Sequence, residues 1–582
     1  MKKIFAVIIA LMIALAALPV YAVDAEDAAS LNIDDYFSKR DLAGTWSDAV
    51  TLDLSGDVTI TQAGTYLLTG SAAATVTVNA GDEDKVQLVL QNVTLTPASG
   101  AAILVENADK VFITLAEGSV NTLTCNAFDE SADIDGAIFS RDDIVLNGTG
   151  TLIITSAAHG IVGKDDVKIA SGTCQITAEG RGITGNDSVR IADGDITSVS
   201  GKDGIRAKNE EDETKGYVVI FGGTLNITAG GGSGNAAAHT GAMMGMGRGG
   251  WGSWNTRTAA DTESASTKGI KSTGSLTVAG GSITLNTADD ALHSNTDLTV
   301  LGGALTIAAG DDGMHADEDL LIAGGKVVIS QSYEGVEATT ITISGSDVTV
   351  YASDDGLNAA GGSDSSGYGW NDMFASQEGV EIRISGGSLY VNASGDGIDS
   401  NGDLTVTGGA IVVSGPTNSG NGALDKNGAA AITGGTIIAA GATGMAESFD
   451  STSTQAIALV SLNGQAGEIT VKDASGNTIL TGTVEKSFQC VVISSPDLVS
   501  GQTYTVSCGS ASATFTAGTA ASGGWGNGFG GGQLPQQGGQ LPQQGGQMPQ
   551  QGGQMPQQPG GFDGGQQPQG GGRQGGPGGG WQ

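Results

Sequence analysis

Apolar residues return along the middle of the chain with a fixed beat. One column runs Ile138, Ile161, Ile183, Ile205, Ile270, Leu292, Met314, Val336, Leu357, Ile398 and Leu424, in steps of 23, 22, 22, 65, 22, 22, 22, 21, 41 and 26 residues. Around this column, short runs alternate apolar and polar positions, as in Val58–Ile60, Val86–Leu90, Val111–Leu115, Ile283–Leu285 and Leu305–Ile307. Gly, Asn and Asp break each run, and paired glycines such as Gly280-Gly281, Gly302-Gly303 and Gly324-Gly325 recur at one corner. Alternation with a period of two, broken by turn formers, predicts strands joined by tight corners. No stretch shows helical periodicity. Self-similarity at this period predicts a repeat architecture, here an all-β, right-handed parallel β-helix of three short strands per coil with the apolar columns as its dry interior.

The beat sets the expected organisation. Residues 1–22 have a basic start, an apolar run and small residues at Val20-Tyr21-Ala22, the pattern of a secretory signal peptide. Residues 23–50 form a lead-in, 51–445 the β-helix, 446–517 a small β-sandwich or cap over its end, and 518–582 a disordered Gly/Gln/Pro-rich tail. The two long steps mark inserts at 230–266 and 361–377. These carry Trp251, Trp254, Tyr368 and Trp370, and both leave the coils beside the same corner. Aromatics there can stack on sugar rings or pack back on the flank of the coils.

Charge narrows the partners. The 62 acidic residues outweigh 25 basic ones, for a formal net charge of −37. That balance argues against nucleic acid, and lets an acidic polymer bind only through bridging cations or locally basic coils. No apolar stretch after the signal peptide is long enough to span a bilayer, so a secreted or cell-surface protein is expected, with the tail as a possible cell-wall attachment. Of four cysteines, Cys490 and Cys508 can pair within one small domain, whereas Cys125 and Cys174 read as buried thiols.

The acids are not scattered. Two residues before the apolar column stand Asp203, Lys268, Asp290, Asp312, Glu334, Asp355 and Asp396. Stacked coils bring such positions about 4.8 Å apart, where carboxylates repel strongly. Together with Asp289, Asp311, Asp354 and Asp399 they form an oxygen-rich ladder suited to Ca2+, whereas Zn2+ would want more convergent His or Cys than four histidines offer. Turn capping by single Asp residues is the plainer alternative. Asp203 with Asn209 and Asp212 suggests a separate site. If the apolar residue points inward, the next one points outward, which places His293, His315, Glu337, Asn358 and Asp399 in an outward column available to a ligand. On earlier coils the corner turns basic, with Lys164, Arg181, Lys202, Arg206, Lys208, Lys268 and Lys271. Lys268 beside Asp290 reads as a counter-charge; beside calcium, Lys268 or Lys271 would instead serve as the base of a polyuronate lyase.

These phrases resemble a known family. Ala63–Gly70, the Val86–Leu95 strand, Asp109–Gly118, His159–Asp166, Lys202–Ile205, the Asp289–Asn358 run and Ser494–Leu498 match, in order and spacing, the secreted clostridial carbohydrate-binding parallel β-helix proteins. Those proteins bind cellulose and polygalacturonate and are related to the family 9 pectate lyases. The resemblance covers roughly residues 40–515. It implies a right-handed parallel β-helix, bound Ca2+, and binding of acidic and neutral plant polysaccharide without catalysis. The Trp-bearing insert and the Gln-rich tail depart from the family's plain form. A Ca2+-dependent lyase and a cell-surface structural or adhesin protein are the alternatives.

Overall fold

The computed structural model describes residues 31–129, 133–237, 266–360 and 376–518. The chain is all-β and solenoid-like: strand follows strand, and through the repeat region strands pair in parallel with those one repeat before and after. The apolar column pairs directly along its length, Ile138 with Ile161, then Ile183, Ile205, Ile270, Leu292, Met314, Val336, Leu357 and Ile398. The two long steps leave this register intact, since Ile205 faces Ile270 and Leu357 faces Ile398. An insert therefore departs and returns at one corner without costing a ladder bond.

Two further strand columns complete the repeat. One contains Asp143–Gly148, Asp166–Ile169, Ser188–Ile191 and Tyr217–Ile220; the other contains Thr151–Ser156, Thr173–Ala178, Asp195–Ser200 and Thr224–Ala229. Alternate residues of all three face a single apolar interior that runs through the stack. The Gly-Gly corner has a steric cause. Gly303 sits at φ +92°, and a Cβ there would lie 2.8 Å from the Gly281 carbonyl oxygen. At Gly303 the positive φ and the close approach both call for glycine.

The parallel stack ends where its last long strand changes partner. Thr436–Gly441 pairs antiparallel with Phe488–Ser494, which in turn pairs with Ile457–Gly464. A second antiparallel sheet, in the order Thr478–Val484, Gly467–Lys472, Thr503–Cys508 and Ala511–Thr516, packs its apolar face on the first through Ile469, Val471, Phe488, Val491, Tyr504 and Val506. Cys490 and Cys508 do not pair. They belong to different sheets, and their thiols lie 3.2 Å from the Ala442 and Gln465 carbonyl oxygens respectively. Cys125 and Cys174 are buried free thiols, Cys174 pushed up to about 12 by burial.

The lead-in carries an element that the sequence pattern does not show. Lys39–Ala43 is a short helix with a capping box between Ser38 and Asp41, closed by Gly44 at φ +56°. It brings Phe37 onto the outer face of the coils, against Phe112, Val145, Ala170 and Ala192. Five residues are too few for a helical period to register.

Candidate functional site

The ladder lies where the sequence beat places it, but its environment differs from the expectation. The residues following the apolar column are in direct register: Arg206, Lys271, His293, His315, Glu337, Asn358, Asp399 and Asp425. The expected outward, accessible column is instead largely enclosed: His293, His315, Glu337 and Asn358 are at most 7% exposed. Asp203, Asp290 and Asp312 are at most 1% exposed. Burial of polar groups at this density requires that nearly every charge meet a partner.

At the basic end the partners are protein groups. Asp203 receives the Arg181 Nε at 3.0 Å, the Ser266 hydroxyl at 2.5 Å and the Lys268 backbone N–H at 3.1 Å, with Arg206 Nη1 at 3.6 Å. Arg181, Ser266 and Arg206 outweigh burial and hold Asp203 below the usual carboxylate range. Asn209 and Asp212 are not brought to it: Asn209 accepts from the Asp212 N–H and donates to Asp187, while Asp212 caps Thr214. The separate Asp203–Asn209–Asp212 site does not form. Lys268 Nζ reaches Asp290 Oδ2 at 2.5 Å and Asp289 Oδ1 at 3.1 Å, so it is a counter-charge to the ladder's first acids.

In the middle, imidazoles enter. The His293 and His315 rings stack with centroids 4.8 Å apart and planes 8° from parallel. His293 Nδ1 lies 2.9 Å from Asp290 Oδ2, and His315 Nδ1 lies 3.0 Å from Glu337 Oε2 and 3.3 Å from Asp312 Oδ2. The outer nitrogens are held as well, His293 Nε2 by Asn295 Oδ1 at 3.1 Å and His315 Nε2 by Asp317 Oδ1 at 3.2 Å. Asn295 and Asp317 were not singled out in the sequence, although the period of two already places them on the same side as the histidines. Burial pushes His293 down to about 4, helped by the Lys268 ammonium. Contacts to Asp312, Asp317 and Glu337 outweigh burial at His315 and raise it well above the usual range. Asp312 is raised by burial and by Asp311, Asp290 and Glu337, too many acids for one imidazole, and its buried Oδ1 has no hydrogen-bond partner.

At the acidic end the cations run out. Among the described residues, no basic side chain lies within 4 Å of Asp355, Asp396 or Asp399, whose oxygens lie within 4.8 Å of one another. Asp355 Oδ1 accepts the Asp396 N–H and Asp396 Oδ1 accepts the Gly422 N–H, each at 2.5 Å, which occupies one oxygen of each carboxylate. Glu334 accepts Asn358 Nδ2 at 2.7 Å, and the Asn358 oxygen has no hydrogen-bond partner. Burial and mutual repulsion raise Glu334, Asp355 and Asp399 well above the usual carboxylate range, and Asp396 to about 7. Asp354 adds its charge to this group, and Asp425 and Glu447 extend it beyond the residues expected from sequence. Asp311 lies with Asp289 and Asp290 in a further cluster. Trp251, Trp254, Tyr368 and Trp370 lie outside the described residues, as do residues 1–22 and most of both inserts.

A family model described as "Carbohydrate-binding domain-containing protein" matches residues 55–313 and 311–518. A carbohydrate-binding domain-containing protein from Acetivibrio thermocellus is 38% identical over 180 residues, covering 30% of this chain and 63% of the relative. The matched segment thus spans less than two thirds of that relative's length. A solved structure, that of the polysaccharide lyase-like protein from C. thermocellum in a gadolinium derivative, is 25% identical with a TM-score of 0.34, over 46% of this chain and 94% of that one. Among the described residues, no helix is long and apolar enough to cross a membrane.

Proposed function

We propose that this chain, which belongs to the carbohydrate-binding domain-containing protein family, is a secreted, Ca2+-dependent polysaccharide-binding protein on a right-handed parallel β-helix, acting without catalysis. Its ligands on this reading are acidic plant cell-wall polysaccharide such as polygalacturonate, cellulose, or both. The observation that carries the reading is the acidic end of the ladder. Asp355, Asp396 and Asp399 bring oxygens together with no cationic side chain in reach among the described residues, and each of the first two has an oxygen to spare. Hard, all-oxygen donor sets of this kind suit Ca2+, with Glu334, Asp354 and the Asn358 carbonyl beside it. A divalent ion there removes the repulsion and leaves positive charge to meet a uronate carboxylate, which a chain of net charge −37 would otherwise repel. Retention on insoluble polygalacturonate and on cellulose tests it. The acidic polymer should hold the protein with Ca2+ and lose it at least about tenfold in chelator or in Asp355→Asn/Asp399→Asn, a change of about 1.4 kcal/mol. Retention indifferent to both would remove the calcium reading.

A second reading rests on Lys271. Burial and the neighbouring Lys268 and Arg206 charges pull it below the usual lysine range, and no ion pair holds it among the described residues. The shift is in the direction that the base of a polyuronate lyase needs.

A further inference from the structure

Apart from the all-oxygen end, the middle of the ladder has the donor set of a different metal. We infer that Asp312, His315 and Glu337 form a centre for a first-row transition ion of the zinc class, with the Asp290–His293 pair stacked against it.

Three features support this. Each histidine directs Nε2 at a fixed oxygen, Asp317 Oδ1 for His315 and Asn295 Oδ1 for His293. An outer acceptor of this kind can hold the ring proton on Nε2 and leave Nδ1 to a metal, the arrangement in which outer partners orient a metal-bound imidazole. The inward nitrogen of His315 then meets two carboxylate oxygens, Glu337 Oε2 at 3.0 Å and Asp312 Oδ2 at 3.3 Å. The three atoms converge on one point, where either a proton on Nδ1 or a metal ion can hold them together. Two donors each about 2.1 Å from a common ion stand roughly 3.0 to 3.4 Å apart at octahedral or tetrahedral angles, so the observed separations fit.

The third feature is independent of the cluster's own contacts. Asp312 Oδ1 is buried without a hydrogen-bond partner on a side chain only 1% exposed. A carboxylate oxygen left so is costly unless something binds it. Imidazole nitrogen selects the ion: Ca2+ takes hard oxygen donors, whereas nitrogen with carboxylate suits zinc, cobalt, nickel or copper. The stack of coils supplies the geometry, because His293, His315 and Glu337 are consecutive register partners.

The test uses the full-length chain stripped of metal and supplied with Zn2+ or Co2+ against a millimolar background of Ca2+. One tightly held equivalent is expected, with visible Co2+ absorption bands showing nitrogen ligation. Glu337→Gln should weaken uptake at least tenfold and His315→Gln should abolish the bands, whereas Asp399→Asn should leave both unchanged. If His315→Gln fails to fold, Glu337→Gln alone decides. Absence of Zn2+ and Co2+ uptake by the folded chain would mean that a proton on His315 takes the place assigned to the metal, and would overturn the inference. So would uptake that Ca2+ displaces in proportion, or uptake indifferent to Glu337→Gln, which would place the ion elsewhere. The calcium reading fails separately, through Asp355 and Asp399.

Discussion

The Lys268 ammonium nitrogen lies 2.5 Å from Asp290 Oδ2, joining two coils across the point where the column turns from basic to acidic. Both side chains are nearly enclosed, at 6% and 1% side-chain exposure. Lys268→Ala leaves Asp290 and Asp289 facing each other without that charge, and should cost about 3–5 kcal/mol. Adding Asp290→Asn should recover part of the loss, since it removes the stranded carboxylate. Denaturant unfolding of the two variants checks this; equal losses would show that the pair is not coupled.

Metal removal should lower the melting temperature. An ion bound only by the folded chain stabilises it by mass action, about 2.7 kcal/mol at a hundredfold excess over Kd. Calorimetry in chelator and then in excess Ca2+ should show a fall and a recovery. A curve unmoved by chelator, from protein shown to be metal-free, counts against any structural ion.

Stability without metal should fall as pH rises. Asp396 is raised to about 7 by burial, and Glu334, Asp355 and Asp399 are raised well above their usual range. For a carboxylate raised in the folded state, the stabilising contribution is complete below the unfolded value near 4. It is lost as pH climbs through the folded value. The metal-free melting temperature should therefore drop between about pH 5 and pH 8, by a few degrees for each kcal/mol lost. Saturating Ca2+ should flatten that slope. A metal-free protein that gains stability over this interval would contradict the carboxylate environment described above.

Polygalacturonate or methylated pectin incubated with the protein and Ca2+ at pH 7 to 10 should yield no unsaturated product by ultraviolet absorbance. Product that disappears in Lys271→Ala would establish the lyase instead.

The corner glycines should divide by what surrounds them. Gly303→Ala meets both a positive φ and the Gly281 carbonyl at 2.8 Å, whereas Gly118, at φ +69°, has open space for a Cβ. Gly303→Ala should cost more than the roughly 1 kcal/mol expected for Gly118→Ala, where only backbone strain is at stake. Thermal melts of both variants rank them.

The column of apolar residues was legible because period and register are one property in a stacked chain: Ile161, Ile183 and Ile205 had to face each other once their spacing was constant. The same logic found Asp290, Asp312 and Asp355, and it anticipated Lys268 as a counter-charge. Enclosure was not legible. Alternation says which way His315 points relative to Met314, but not what stands beyond it, so a column expected to meet solvent is buried. Sequence spacing also cannot report that Arg181 and Arg206, one coil before Asp203 and on its own coil, converge on the Asp203 carboxylate. Lys39–Ala43 escaped notice because one and a half turns leave no period to read.

The antiparallel meeting of Thr436–Gly441 with Phe488–Ser494 has a consequence for the molecule's behaviour in a crowd. A parallel stack is open-ended, since whatever recruits one strand onto its last rung leaves a fresh rung for the next, and growth need never stop. Reversing the strand direction at that rung removes the template. Another copy arriving end-on finds its matching edge already occupied by a strand running the other way. Along that strand column the count of coils is fixed by the chain itself, and an indefinitely extensible motif is given a stop.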